Sequence, residues 1–179
     1  MASINPFTAV VQQMTLGGAV KQNHSLEHAT IALLSKKYPD LRLAGVSSAI
    51  GFFIFGDVPT EEILPTAHQA LELLRTTNPE MAIHERCGTN FAVMGALTGL
   101  SAMAVAKMRR PYGTVNNAIL ASTAALIVAR PVGMTVQRYV TTQTPNSSMV
   151  ILDIRKMDLF GSPAHFVHTD NPEASGLFS

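Results

Sequence analysis

The sequence is poor in charged residues, and it contains no tryptophan. Charged side chains make up 14% of the 179 residues, against about 25% in an ordinary soluble protein. Thirteen basic and twelve acidic residues leave a net charge of +1, so the chain has no basic field that would attract nucleic acid. We therefore expect no nucleic-acid partner.

Cysteine is also scarce, because Cys87 is the single one in the sequence. It excludes an internal disulfide and leaves a thiol that is buried, reactive or metal-bound. The opening residues lack a basic segment followed by an apolar one, so they do not resemble a secretory signal. The apolar share is high instead, at 47%, with a mean hydropathy of +0.22. This composition favours a protein that enters a membrane through an internal segment.

Two uncharged stretches predict a pair of membrane helices. One runs from Phe91 to Ala106 and the other from Ala118 to Ala129, and three positive charges lie between them. Each is shorter than the about 20 residues that span a bilayer, so flanking residues must extend it. Small residues recur at three- or four-residue spacing, as in helices that pack in lipid, and no charged stripe is present. A hairpin buried in a soluble or oligomeric assembly is the alternative.

The remaining segments predict helices and β-hairpins. The stretch NHSLEHATIALLSKK has helical spacing, with Asn23 or Ser25 as its cap and Tyr38 near its end. The apolar alternation of LRLAGVSSAIGFFIF predicts a hairpin with a central second strand, and a second hairpin turns near Gly161. Another helix begins at Thr60 between these hairpins. These elements predict an α+β fold with an inserted two-helix transmembrane hairpin.

The predicted domain organisation follows from this order of elements. We expect residues 1–89 and 131–170 to form a soluble α+β part, with a short helix between Pro6 and Met14. Residues 90–130 form the helical membrane hairpin, and residues 171–179 form a tail. The basic residues between the two membrane helices would favour a cytoplasmic loop, whereas the long N-terminal part without a signal argues the other way. The side of the membrane therefore stays open.

The motif HSLEH predicts a metal site. His24, Glu27 and His28 share one helical face, because residues three and four positions apart point in the same direction. Two imidazoles at this spacing can bind one zinc ion, with the glutamate as general base. H-x-x-E-H is the inverted form of a zinc-peptidase signature. The alternative is a helix that begins at Ser25, in which Glu27 complements the helix dipole and the histidines face solvent.

A second segment, HERCGTN, offers further ligands. A catalytic zinc usually has three protein ligands and one open position, and His84 or Cys87 could supply the third. Their alternatives are a solvated imidazole and a small buried thiol. His165 and His168 lie three residues apart on a predicted strand, so they face opposite sides and cannot serve one site.

Three motifs together resemble a known family. NHSLEHATIALL, HERCGTNFAV and RPVGMTVQRYVTT occur here in the order found in small bacterial membrane proteins that share a domain of unknown function. In that family an L-E-H-A-T helix is followed by a C-G-T-N turn, two membrane helices and a Q-R-x-V-T-T segment. The resemblance implies a location in the bacterial cell membrane. It marks the residues Glu27, His28, Cys87, Gly88, Thr89, Asn90, Gln137, Arg138, Thr141 and Thr142.

Two functions are consistent with these features. The first is a membrane-associated zinc-dependent hydrolase in which Glu27 is catalytic and the ion is bound by His24, His28, His84 or Cys87. The second is a non-enzymatic accessory or assembly subunit whose soluble face docks a membrane-protein partner or a second copy of the chain. A structural metal site lies between these two hypotheses. In each case we expect membrane lipid to surround the helical hairpin.

Overall fold

The computed structural model describes residues 17–108, 114–159 and 161–175. Its architecture is α+β, as predicted, with a four-stranded antiparallel sheet and five α-helices in the described ranges. The described residues divide into two compact units, the first comprising residues 17–83, 141–159 and 161–175 and the second residues 84–108 and 114–140. The helix predicted between Pro6 and Met14 lies outside the described residues, as do Arg109 and Arg110.

The first unit contains the sheet and most of the helices. In chain order its elements are α1 (Gly18–Lys37), β1 (Ala44–Ser48), β2 (Gly51–Phe55), α2 (Thr60–Thr76), a 3₁₀ turn (Pro79–Ala82), β3 (Val150–Leu159), β4 (Ser162–Asp170) and α5 (Pro172–Ser175). The segment predicted as a tail thus begins with a short helix. Gly161 forms the predicted turn between β3 and β4 with a φ of 77°, a conformation that glycine adopts without steric cost.

Helix α1 begins earlier than the sequence predicts. Gly17 is its N-cap, with an extended backbone conformation, and glycine is among the residues preferred at this position. The predicted caps form other bonds inside the fold. Asn23 donates to the carbonyl of Ser48 at 2.9 Å and accepts from the hydroxyl of Thr169 at 2.7 Å. Ser25 donates to the carbonyl one turn earlier. The prediction that Asn23 or Ser25 caps the helix was therefore wrong.

The sheet has the strand order β1-β2-β4-β3, so β2 is central, as its apolar sequence predicts. Phe52 pairs with Val167 on β4, which pairs in turn with Ile154 on β3. Helices α1 and α2 contribute to the same core as these strands. The fully buried core residues include Leu26, Leu34, Phe52, Ile54, Ile63, Leu74, Met149 and Val167. Because this core surrounds the middle of α1, the polar residues there are buried as well.

The second unit is a helical hairpin. Helix α3 (Gly88–Lys107) and helix α4 (Thr114–Val136) contact each other through the Ser122 hydroxyl, which donates to the carbonyl of Thr98 at 3.3 Å. A π-helical turn, Gln137–Thr141, continues α4. Both helices are long and apolar enough to cross a membrane, with 20 residues in the first and 28 in the second when the π turn is included.

Candidate functional site

The HxxEH motif lies in the middle of α1 and is buried. His24, Glu27 and His28 expose 8%, 4% and 3% of their surfaces. The two imidazoles contact each other, with ring centroids 4.2 Å apart and planes inclined by 63°. Glu27 is nine residues from the start of the helix, so it cannot complement the dipole of the first turn. The alternative of a capping Glu27 with solvated histidines was therefore wrong.

Each imidazole is oriented by a main-chain carbonyl of the first unit. The Nδ1 atom of His24 lies 2.9 Å from the oxygen of Thr141, and that of His28 lies 2.6 Å from the oxygen of Ala82. A carbonyl oxygen can only accept, so both Nδ1 atoms carry hydrogen. In the neutral ring the lone pair is then on Nε2. This arrangement is typical of metal-binding histidines, whose second ring nitrogen donates to a carbonyl or carboxylate.

Glu27 is held by strand β1. The hydroxyl of Ser47 donates to its carboxylate at 2.5 Å. A Cβ atom at Gly45 would lie 2.6 Å from Glu27 Cδ and 2.7 Å from Cγ, so the side chain occupies space that only glycine leaves open. Burial raises the pKa of Glu27 to about 7, although His24 and the Ser47 hydrogen bond both lower it. The carboxyl group is thus able to gain and lose a proton near neutral pH.

Cys87 is the N-cap residue of α3. Its Sγ atom accepts the main-chain N–H of Thr89 at 3.4 Å, and the cysteine is 7% exposed. An N–H donor at a helix N-terminus stabilises the thiolate, which is the form that binds metal ions. The first residue of α3 is Gly88, where the sequence predicted a turn.

Asn90 and Gln137 form a polar network inside the second unit. Gln137 donates to the Asn90 side chain at 2.7 Å and accepts from the main chain of His84 at 3.0 Å. Asn90 also donates to the carbonyl of Glu85 at 2.7 Å. A Cβ atom at Gly133 would lie 3.1 Å from Asn90 Cγ, so the two helices approach closely there. This network stabilises the segment that carries Cys87.

His84 and Cys87 differ as ligand candidates. The Nδ1 atom of His84 accepts the N–H of Arg86 at 3.2 Å, so its lone pair is already used and the neutral ring carries its hydrogen on Nε2. The described residues do include the donor types that could hold a metal ion, namely the buried imidazoles of His24 and His28 in the first unit and the buried thiol of Cys87 in the second. The chemistry of this set, two imidazoles and one thiolate, suits zinc.

The two histidines of β4, His165 and His168, contact other side chains and are not among the candidate ligands. His165 is fully buried and lies 3.0 Å from the Thr60 hydroxyl, whereas His168 lies 3.8 Å from Asp153 near the surface. Their different surroundings agree with the prediction that they face opposite sides of the strand.

Several groups around the motif could not be recognised from the sequence. The two carbonyls that orient the imidazoles belong to the main chain. Every residue type has such a carbonyl, so the sequence does not indicate which ones bind the histidines. Gly45 and Ser47 are visible as small residues in a predicted strand, and a glycine there indicates close approach of another group. Nothing in the sequence identifies Glu27 as that group.

Comparison with known proteins gives the family. The model of a domain of unknown function, DUF6391, matches residues 19–154. The chain belongs to this family. An uncharacterized protein of Picosynechococcus sp. is 31% identical over 160 residues, which cover 83% of the chain and 78% of that relative. No solved structure matches the chain. The DUF6391 match includes the HxxEH motif, Cys87 and both apolar helices.

Proposed function

We propose that this chain is a bacterial membrane protein that binds zinc through His24 and His28, with Cys87 as a third ligand. The observation that carries the proposal is the pair of hydrogen bonds from the two Nδ1 atoms to main-chain carbonyls. These bonds select the tautomer with a lone pair on Nε2 in two adjacent imidazoles, and they fix both rings.

The length of the chain supports Cys87 as the third ligand. His28 binds the carbonyl of Ala82, and Cys87 follows only five residues later. Five residues span at most about 18 Å, so the connection is short and permits the thiol to approach the imidazoles. His84 is a weaker candidate, because its Nδ1 atom already accepts a hydrogen bond. Two imidazoles and one thiolate leave a fourth position of a tetrahedral zinc site for another ligand.

We propose further that the site catalyses hydrolysis. Zinc in a site of this kind supplies Lewis acidity to a water or a carbonyl group. Glu27 lies between the two histidines in sequence and supplies the carboxyl group of the HxxEH motif. It is therefore the group that would accept the proton of the attacking water and return it to the leaving group. The Ser47 hydroxyl would hold the carboxylate in place during both transfers.

The membrane location rests on the surface of the helical hairpin. Large apolar side chains are exposed along both helices, including Phe91 (65%), Leu100 (62%), Leu120 (68%) and Ile127 (75%). A surface of this kind is unfavourable in water and favourable in lipid. We therefore propose that α3 and α4 span the membrane. Carbonate extraction of isolated membranes tests this, because a spanning protein stays in the pellet and a peripheral one is released.

Metal analysis of the purified full-length chain tests the zinc site. We expect about one zinc per chain, and less than about 0.1 after His24→Ala together with His28→Ala. His68→Ala is the matched control, because this histidine lies on the exposed face of α2 and should leave the zinc content unchanged. If the wild-type chain holds less than about 0.1 zinc per chain after incubation with zinc and dialysis, the zinc site does not exist.

The Glu27→Gln variant tests hydrolysis. It keeps the shape of the side chain and removes the base, so we expect unchanged zinc content and a loss of about 100-fold or more in the hydrolysis of a panel of peptides and esters. Equal rates for both proteins would refute catalysis by Glu27, and would leave the zinc site standing.

One observation favours the non-enzymatic alternative. Glu27 is enclosed by Gly45 and Ser47 and exposes 4% of its surface, which is how a structural carboxyl group is packed. In an accessory subunit with a structural zinc site, Glu27→Gln would lower only the melting temperature. The same panel of substrates and a thermal denaturation of both proteins separate the two functions.

A further inference from the structure

Thr141 has a hydroxyl group that the fold does not use. The residue ends the π-helical turn Gln137–Thr141, and its carbonyl oxygen accepts from His24 Nδ1 at 2.9 Å. Its Oγ1 atom is buried and has no hydrogen-bond partner in the part of the chain that the structure describes. Hydroxyl and carbonyl belong to one residue, so this Oγ1 atom is only a few covalent bonds away from the oxygen that orients His24.

A buried hydroxyl without a partner is unusual and needs a physical reason. It has lost its hydrogen bonds to water and gained none in return, so it destabilises the fold unless another molecule binds it. π-helical turns are rare and frequently occur at functional sites. Thr89 has the same feature beside another proposed ligand, because its Oγ1 atom is also without a partner among the described residues and its N–H donates to the sulfur of Cys87.

We infer that the Thr141 hydroxyl donates a hydrogen bond to an oxygen ligand in the fourth position of the metal site. This inference rests on the proposed zinc site. The ligand class is a carboxylate or carbonyl oxygen, since such an oxygen both binds zinc and accepts hydrogen bonds. Thr141 is therefore a residue that binds the substrate or product of the site, in addition to orienting His24 through its carbonyl.

The test uses the full-length chain in detergent, loaded with cobalt(II) in place of zinc. The visible absorption of cobalt reports metal binding, and its change on addition of acetate reports the affinity for an oxygen ligand. Thr141→Val keeps the shape and removes the hydroxyl, whereas Thr141→Ser keeps the hydroxyl. Thr30→Val is a matched control on α1, because the Thr30 hydroxyl is fully buried and already donates to the carbonyl of Leu26.

We expect Thr141→Val to weaken acetate binding about tenfold, as the loss of a hydrogen bond to a charged group does. Thr141→Ser should stay within about twofold of the wild type, and so should Thr30→Val. The metal-free Thr141→Val protein should melt at the same temperature or higher, because it loses a hydroxyl without a partner. Thr30→Val should melt lower.

An unchanged acetate affinity in Thr141→Val would overturn the inference while leaving the zinc site intact. If the metal-free variant also melted at a lower temperature, the hydroxyl would have a structural role instead. A wild-type chain that binds no cobalt would instead refute the metal site itself, and the role of Thr141 would fail with it.

Discussion

Replacing Gly45 with alanine should destabilise the first unit, because a Cβ atom there would collide with Glu27. It would lie 2.6 Å from Cδ and 2.7 Å from Cγ of a side chain that is buried and bonded to Ser47. Gly45 has no positive φ, so alanine meets no penalty from the backbone. The destabilisation therefore reports the contact, reduced by about 0.4–1 kcal/mol because alanine restricts the unfolded chain.

The magnitude follows from two effects. Overpacking of a buried contact costs about 1–3 kcal/mol. Displacing Glu27 also weakens its bond with Ser47 and leaves a buried polar group poorly paired, which costs about 1–3 kcal/mol. Because the two effects overlap, we expect a loss of about 2–4 kcal/mol in the free energy of unfolding, or about 5–15 °C in melting temperature.

Thermal and urea denaturation of the metal-free protein, followed by circular dichroism, measures this loss without a contribution from bound metal. The decisive comparison repeats Gly45→Ala in a Glu27→Ala background, where the space is open. We expect the destabilisation there to fall by at least about 1.5 kcal/mol. Equal destabilisation in both backgrounds would show that Glu27 is not the group that requires glycine at this position.

Two further predictions concern buried groups elsewhere. Burial lowers the pKa of His165, so below its ordinary pKa of about 6.5 the unfolded chain binds a proton that the folded chain does not. The free energy of unfolding, measured by urea denaturation, should therefore fall between pH 7 and pH 5. It should fall less steeply with pH in His165→Asn than in the exposed control His68→Asn, and equal slopes in the two variants would contradict this. Gly133→Ala should lower the melting temperature of the hairpin in detergent, because its Cβ would lie 3.1 Å from Asn90 Cγ. Gly95→Ala, where a Cβ meets nothing within 4 Å, should be neutral or stabilising, and a similar loss in both variants would refute the packing argument.

Much of the fold follows from local patterns. The strands of both hairpins alternate or are apolar throughout, and Gly161 stands at the turn, so the pairing within each hairpin and the central position of β2 could be predicted. The pairing of β2 with β4 was not predicted. The start of α1 could not be predicted, because Asn23 and Ser25 resemble caps in sequence and bind distant groups in the fold. Residue type shows that a side chain can accept or donate a bond. It does not show which partner the folded chain brings to it.

Part of the candidate site could also be predicted from the sequence, and part could not. The helical spacing placed His24, Glu27 and His28 on one face, and the structure confirms that they lie together on α1. The orientation of the imidazoles depends on the carbonyls of Ala82 and Thr141, which are main-chain atoms contributed by distant segments. Long-range contacts of the main chain have no signature in a single sequence.

The two imidazoles also form hydrogen bonds with the main chain close to the points where it leaves and re-enters the sheet-containing unit. Ala82 lies two residues before His84, where the second unit begins, and Thr141 directly follows its last residue, Val140. Their carbonyl oxygens are bound to rings whose centroids are 4.2 Å apart, so the oxygens are separated by at most about 12 Å, which four or five extended residues can bridge. A short glycine-serine linker in place of residues 84–140 should therefore join the two ends without moving either carbonyl. The shortened chain would keep two of the three proposed ligands, and if α3 and α4 span the membrane as proposed, we expect it to be purified without detergent.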